Sequence, residues 1–170
     1  MKVVLKDVRL SFPDLWEPKA FGNDSNSKPV YGATFLFPPG HPAQALMEQA
    51  IEAVAREKWG AKADSVLKTL RASGKVCLQD GNAKDYDGYS GMLYVPARSY
   101  TAPVVVDRRK NPLSAQSGIP YAGCYVNAVV DVWPQDNQFG RRINAGLSVV
   151  QFVRDGEAFG ASNAAAVEEL

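Results

Sequence analysis

Apolar and polar positions alternate with period two over most of this chain, and one stretch of helical spacing interrupts the alternation. Lys2 to Phe12 sets Val4, Val8, Leu10 and Phe12 on one side and Val3, Leu5, Asp7 and Arg9 on the other, which predicts a first strand with both faces partly covered. Pro13 stops it. Asp14 to Lys28, holding Trp16, Phe21, Gly22, Asn23 and Asp24, predicts a long loop. Trp16 and Phe21 are large rings for a loop, so they either fold back on a core or face a ligand. Pro29 to Phe37 predicts a second strand with Tyr31, Ala33, Phe35 and Phe37 on one face, ended by Pro38-Pro39-Gly40.

The helical stretch follows. Pro42 suits a first turn, Leu46, Ala50, Ile51, Val54 and Lys58 keep helical spacing, and Gly60 offers a left-handed stop. Asp64 can cap a shorter helix with Val66, Leu67 and Leu70 inward, ending at Gly74. Glu48, Glu52, Arg56, Lys68 and Arg71 form the solvated faces. Beyond the helices, Asp80 to Gly91 is dense in turn formers, with Tyr86 and Tyr89 interleaved. Met92 to Tyr100 then alternates strictly: Leu93, Val95, Ala97 and Ser99 suit a core, whereas Tyr94, Pro96, Arg98 and Tyr100 share the other face. Ala102 to Asp107 is a short β-branched strand, followed by the basic run Arg108-Arg109-Lys110 in a loop. Tyr121 to Trp133 and Arg142 to Arg154 are long valine-rich strands joined through Pro134 to Gly140, which predicts a hairpin with a long tip ending in Arg141-Arg142.

Strand, strand, helices and then four strands fit a mainly β fold. We expect an OB-fold-like barrel of five to six strands, as one domain over residues 1–160 with a helical insertion at about 42–73. A flexible tail would occupy 161–170. An open antiparallel sheet with helices on one face satisfies the same pattern.

Composition narrows the chemistry. Nineteen Lys+Arg against eighteen Asp+Glu leave a formal charge of +1, so a polyanion partner would have to be held by local charge. No apolar run reaches membrane-span length, and no signal-peptide pattern opens the chain, which points to a cytoplasmic location. Cys77, Cys124 and His41 are too few and too scattered for a disulfide framework or a zinc site, and His41 beside Pro42 reads as a helix cap. Phosphate-cradling, dinucleotide and nucleophile-elbow motifs do not occur. Asp80, Asp85 and Asp87 could hold magnesium for phosphodiester cleavage, but Lys84 and Asp85 break the spacing of a calcium loop. Aspartates in such turns more often bond their own backbone. We therefore expect no cofactor and no catalytic residues.

The face with Tyr94, Arg98 and Tyr100 combines stacking surface with positive charge, which single-stranded nucleic acid can use; a strand whose tyrosines pack beneath a loop is the plain alternative. Arg108, Arg109 and Lys110 come next as phosphate contacts, then Lys84, Tyr86 and Tyr89, then Arg141 and Arg142, with Trp16 and Phe21 as outlying candidates.

Three segments, KVVLKDVRLSFPDLWEP, DGNAKDYDGYSGMLYVPARS and AGCYVNAVVDVWPQDNQFGRRINAGLSVVQFVRDGEAFG, resemble a phage and prophage family similar to single-stranded DNA-binding proteins with an OB-fold. The resemblance spans roughly Lys2 to Gly160. It implies a protein that coats exposed single-stranded DNA without sequence preference during phage replication and recombination, in the host cytoplasm. Proteins of that class usually carry a markedly acidic tail that recruits replication partners, and here the tail reads only AAAVEEL. Self-association into a homo-oligomer is compatible with this reading. A magnesium-dependent nuclease and a non-enzymatic structural or assembly protein are the rival classes.

Overall fold

A computed structural model describes residues 1–20 and 28–160. The chain forms β1 (Lys2–Lys19), β2 (Val30–Phe37), α1 (Pro42–Trp59), α2 (Ala63–Ala72), β3 (Gln79–Asp80), β4 (Leu93–Ser99), β5 (Val104–Val106), β6 (Tyr125–Asn137) and β7 (Gly140–Arg154). Strands neighbour one another in the order β3-β4-β2-β1-β6-β7-β5, and a parallel pairing of β4 with β7 at Arg98 and Gly146 closes the middle five into a barrel. This is the expected OB-fold-like barrel rather than an open sheet. β3 and β5 are short additions along that closure, β3 on the free edge of β4 and β5 on the free edge of β7.

The barrel is filled from alternate positions of each strand: Ala33, Phe35 and Phe37 from β2, Val95 and Ala97 from β4, Val126, Ala128, Val130 and Val132 from β6. Helix α1 packs on β1 and β6 through Met47, Ala50, Ile51 and Val54, and α2 adds Val66, Leu67 and Leu70 to the same core. His41 caps α1, its Nδ1 accepting from the Ala43 N–H at 3.0 Å, as expected. Between β4 and β7 the barrel wall is thin. There the segment after α2 inserts, with Val76 bridged to Ile143 and the Ile143 N–H donating to the Lys75 carbonyl at 3.0 Å.

Several elements depart from the expected pattern for definable reasons. β1 changes phase: Val3 and Leu5 point inward, a bulge at Asp7 (φ 52°) intervenes, and Val8 and Leu10 then point inward while Val4 is exposed. Pro13 does not end the strand. A second irregularity at Phe12 (φ 45°) re-aims the chain, and β1 runs on to Lys19 paired with β2. The β6–β7 hairpin has no long tip, because pairing continues to Asn137 and Gly140 and leaves only Gln138-Phe139 unpaired. Leu46 lies on the exposed side of α1. Asp64 does not cap α2 but sits in its first turn, with its carboxylate 3.1 Å from Arg56. Cys77 and Cys124 are buried and free.

Candidate functional site

The strand that the sequence singles out splits into two environments. At its start Tyr94 is buried, 8 % exposed, against Leu36 and Tyr89 on the outside of the barrel. The covering loop is tied down at both ends: the Gly81 N–H donates to the Met92 carbonyl at 2.7 Å, and the Gly91 N–H donates to the Asn82 side chain at 2.7 Å. Asp80 accepts from the Asn82 N–H at 2.9 Å, so this carboxylate serves its own turn. Tyr89 is buried too, and its hydroxyl donates to Ser11 Oγ at 3.0 Å. Burial pushes both tyrosine hydroxyls above their ordinary pKa, more than the bonds to Ser11 and Thr34 lower that of Tyr89. Tyr89 and Tyr94 are therefore packing residues under a loop, a correction to their place among the stacking candidates: a ring with no accessible face cannot stack on a base.

At the other end the strand opens into a groove of about 710 Å³. Arg98, Tyr100 and Pro96 line it from β4 and the residues just beyond. Lys28, just before β2, and Val30, its first residue, line it too, and Trp133, Gln135, Arg142 and Asn144 do so from the β6–β7 hairpin. Its floor is apolar, made by Val76, Cys77, Ile143 and Ala145 where the segment after α2 plugs the wall. Tyr100 is 63 % exposed with Lys28 Nζ 4.7 Å from its ring centroid, and Trp133 is 44 % exposed. The Arg98 side chain is exposed at the surface yet lies against the groove wall. Partial desolvation first, and repulsion from Arg142 second, hold its pKa below the usual arginine range. Arg98 and Arg142 thus bring positive charge to the groove from β4 and from β7.

The remaining candidates lie elsewhere. Arg141 is held at the hairpin end, 3.4 Å from Asp136 and with its guanidinium 6.0 Å from the Trp59 ring, while the Trp59 indole donates to Asp136 at 2.9 Å. That indole bond, ahead of Arg141, draws the Asp136 carboxyl below its ordinary pKa. Arg108, Arg109 and Lys110 form an exposed turn whose backbone is held by Asp107: its Oδ1 accepts from the Arg109 and Asn111 N–H groups at 2.8 and 2.9 Å. This turn borders a separate cavity of about 320 Å³, lined by Val4, Lys6, Val106 and Lys110 among others. Tyr86 is half-exposed and meets Phe12 edge-on at 5.1 Å, and Lys84 is exposed in the same loop. Trp16 lies on β1, over a third exposed, and does not line the groove. Phe21 falls outside the described residues. Among the described residues no three His, Cys, Asp or Glu side chains gather as a metal would need, so Asp80, Asp85 and Asp87 do not assemble the centre a nuclease requires.

Trp133 and Lys28 are the groove residues the sequence reading missed. For Trp133 the signal was present: Val126, Ala128, Val130 and Val132 all point inward, so position 133 must point out. Lys28 carries no such signal, because it sits in a connection without periodicity.

Comparison with known proteins adds relatives across the whole chain. Residues 1–169 match the family model described as the Enterobacter phage Enc34 ssDNA-binding protein. A putative protein p50 of Acyrthosiphon pisum secondary endosymbiont phage 1 is 42% identical over 175 residues, covering 100% of this chain and 92% of that protein. Among solved structures, the single-stranded DNA-binding protein of bacteriophage Enc34 in complex with ssDNA superposes with a TM-score of 0.78 at 28% identity, covering 94% of this chain and 89% of that one. Bacteriophage T7 gp2.5, a single-stranded DNA-binding protein, shares the fold with a TM-score of 0.58 at 12% identity, over 91% of each chain.

Proposed function

Because the chain belongs to the family of the Enterobacter phage Enc34 ssDNA-binding protein, we propose that it coats single-stranded DNA without sequence preference, during phage replication and recombination in the host cytoplasm. One observation carries this reading to particular residues. The groove collects Tyr100, Trp133, Lys28, Arg98 and Arg142 where the third barrel strand, β4, meets the fifth, β7, beside the β1–β2 connection and the β6–β7 hairpin. In OB-folds the third strand and the loops that correspond to those two take part in oligonucleotide binding.

The chemistry follows from what a single strand offers. Unpaired bases expose π-faces, and Tyr100 and Trp133 present rings for them; stacking contributes about 1–3 kcal/mol per base whichever base it is. Arg98, Arg142 and Lys28 lie where the sugar-phosphate track would pass. They displace condensed counterions, so their contribution fades as salt rises. No residue of α1 or α2 lines the groove, so no helix is offered there for major-groove reading. Lys84 and Arg141 lie outside the groove and add little to this track.

Titration of fluorescent oligonucleotides, single-stranded and duplex, at several salt concentrations tests the proposal. Tight single-strand binding indifferent to sequence is expected, weakened in Trp133→Ala by about 1–3 kcal/mol with the thermal melt unchanged. A requirement for one duplex sequence would overturn it. Labelled strands incubated with magnesium should stay intact, since the reading is of binding without cleavage. Recruitment of replication proteins through residues 161–170 is a further part of the proposal, tested by deleting them and measuring partner retention.

A further inference from the structure

Two charged features of opposite sign remain outside the groove. The first is the exposed turn Arg108-Arg109-Lys110. The second is a cleft of about 600 Å³ on the other side of β1's bulges, walled by the rings of Phe12, Tyr86 and Phe159 and bordered by Asp14, Asp85 and Asp87. Phe12 is 56 % exposed and held at a positive φ of 45°, a backbone conformation that costs energy for a side chain of this size. Its ring, with that of Tyr86, makes an accessible aromatic edge beside Asp14 and Asp85, while the Asp87 carboxylate already accepts from the Gly160 N–H at 3.1 Å. Apolar rings and carboxylates together favour a guanidinium, which can stack and pair at once.

The two features cannot satisfy each other within one molecule. Lys6 borders the cavity beside the basic turn and Phe12 borders the acidic cleft. Six residues of β1 separate them, roughly 20 Å at about 3.3 Å per residue. Between them stands a ladder that fixes the intervening surface: Arg154 lies 3.7 Å from the Tyr125 centroid, and Arg9 lies 4.3 Å from that of Phe159. Complementary patches at different places on one chain favour a head-to-tail contact, which repeats without closing into a two-fold dimer.

We propose that the occupant of the Phe12–Tyr86 cleft is the Arg108–Arg109 turn of a second copy of this chain, so that neighbouring copies contact each other along a bound strand. The contact deepens the single-strand reading, since it makes coating cooperative. It also removes the basic turn from the list of phosphate contacts.

Charge reversal at both partners tests it. Arg108→Glu with Arg109→Glu should lower apparent affinity for a long thymidine strand by about tenfold, and leave affinity for an oligonucleotide that holds one copy within about twofold. Asp14→Lys with Asp85→Lys should behave alike, and the four changes together should restore long-strand affinity. Thermal melts confirm that each variant is folded. An equal loss on the short oligonucleotide, with a shallower salt slope, would place the turn on the DNA and overturn the proposal. So would unaltered long-strand binding, or failure of the combined variant to recover. Sedimentation without DNA separates this idea from the groove reading. Low-salt self-association should vanish in each double variant and return in the combination even if no strand binds; a parent protein that stays monomeric at high concentration refutes the contact.

Discussion

Tyr94 and Tyr100 leave the same face of one strand, yet their replacement by alanine should have opposite consequences. Tyr100 is 63 % exposed, with the Lys28 ammonium 4.7 Å from its ring centroid. Removing it leaves no cavity, so the melting temperature should stay within about 1 °C of the parent, as for exposed substitutions generally. Loss of one stacking platform costs about 1–3 kcal/mol, which raises the dissociation constant roughly 5- to 160-fold. The salt slope should hardly move, because no cation is removed. Tyr94 is 8 % exposed, packed on Leu36 and with its ring centroid 5.3 Å from that of Tyr89. Deleting a buried ring of this size costs about 3–5 kcal/mol. At about 2–4 °C per kcal/mol for a chain of this length, the melt should drop by at least about 6 °C. Fluorescence anisotropy on a thymidine oligonucleotide, beside a thermal melt of each variant, reads both quantities. A folded Tyr100→Ala protein with parental affinity would refute the placement of the strand in the groove, and a Tyr94→Ala protein with parental stability would refute the packing of the covering loop.

Arg98→Gln with Arg142→Gln should reduce the magnitude of the salt slope by about 1.4, from 0.7 per phosphate contact, equally on thymidine and mixed-sequence strands; an unchanged slope would move the electrostatic track elsewhere. Burial pushes the Cys77 thiol up from its ordinary 9.0 to about 12. With the folded value raised, its contribution to stability is complete below pH 9.0 and is lost as pH rises through about 12, so a Cys77→Ala protein should show a flatter decline in stability over that window. Gly81→Ala should destabilise the fold and slacken the covering loop, because a Cβ there would run into the Tyr89 and Met92 carbonyls; limited proteolysis of the 80–92 segment should quicken, and equal cleavage rates would argue against it.

The barrel was legible because its strands obey the rule of two. Val95 and Ala97 on β4, and four alternate positions of β6, all turn inward as the pattern requires. β1 was harder, since the bulge at Asp7 shifts the phase between Leu5 and Val8, and a lone aspartate within an alternating run is as readily an outward strand position as a bulge. The site was half legible. Alternation assigns Tyr94 and Tyr100 to one outward face, but cannot tell which stretch of that face a later-folding loop will cover. That decision lies in tertiary contacts such as Tyr89 to Ser11, 78 residues apart. Likewise the basic run was read as a phosphate track because it is near β4 in sequence. In the fold β5 follows β4 along the same edge of β7, pairing at Val149 to Gln151 beyond the Arg98–Gly146 pair, so the turn stands further along that edge and does not line the groove. Trp133 shows the reverse case: the periodicity already placed it outward, and only its distance along the chain from Tyr100 hid their common groove.

The single parallel pairing at Arg98 and Gly146 gives the barrel a seam, and the groove lies over it. Arg98 has two duties there, its backbone joining the two edges and its side chain lining the groove from the β4 bank. Arg142 and Trp133 face it from the opposite bank. A polyanion laid across both banks acts as a suture, since parting the edges would also part its own contacts. Breathing of the barrel and occupancy of the groove are thereby linked, so a bound strand should slow amide exchange at the seam more than in the β1–β6 wall behind it.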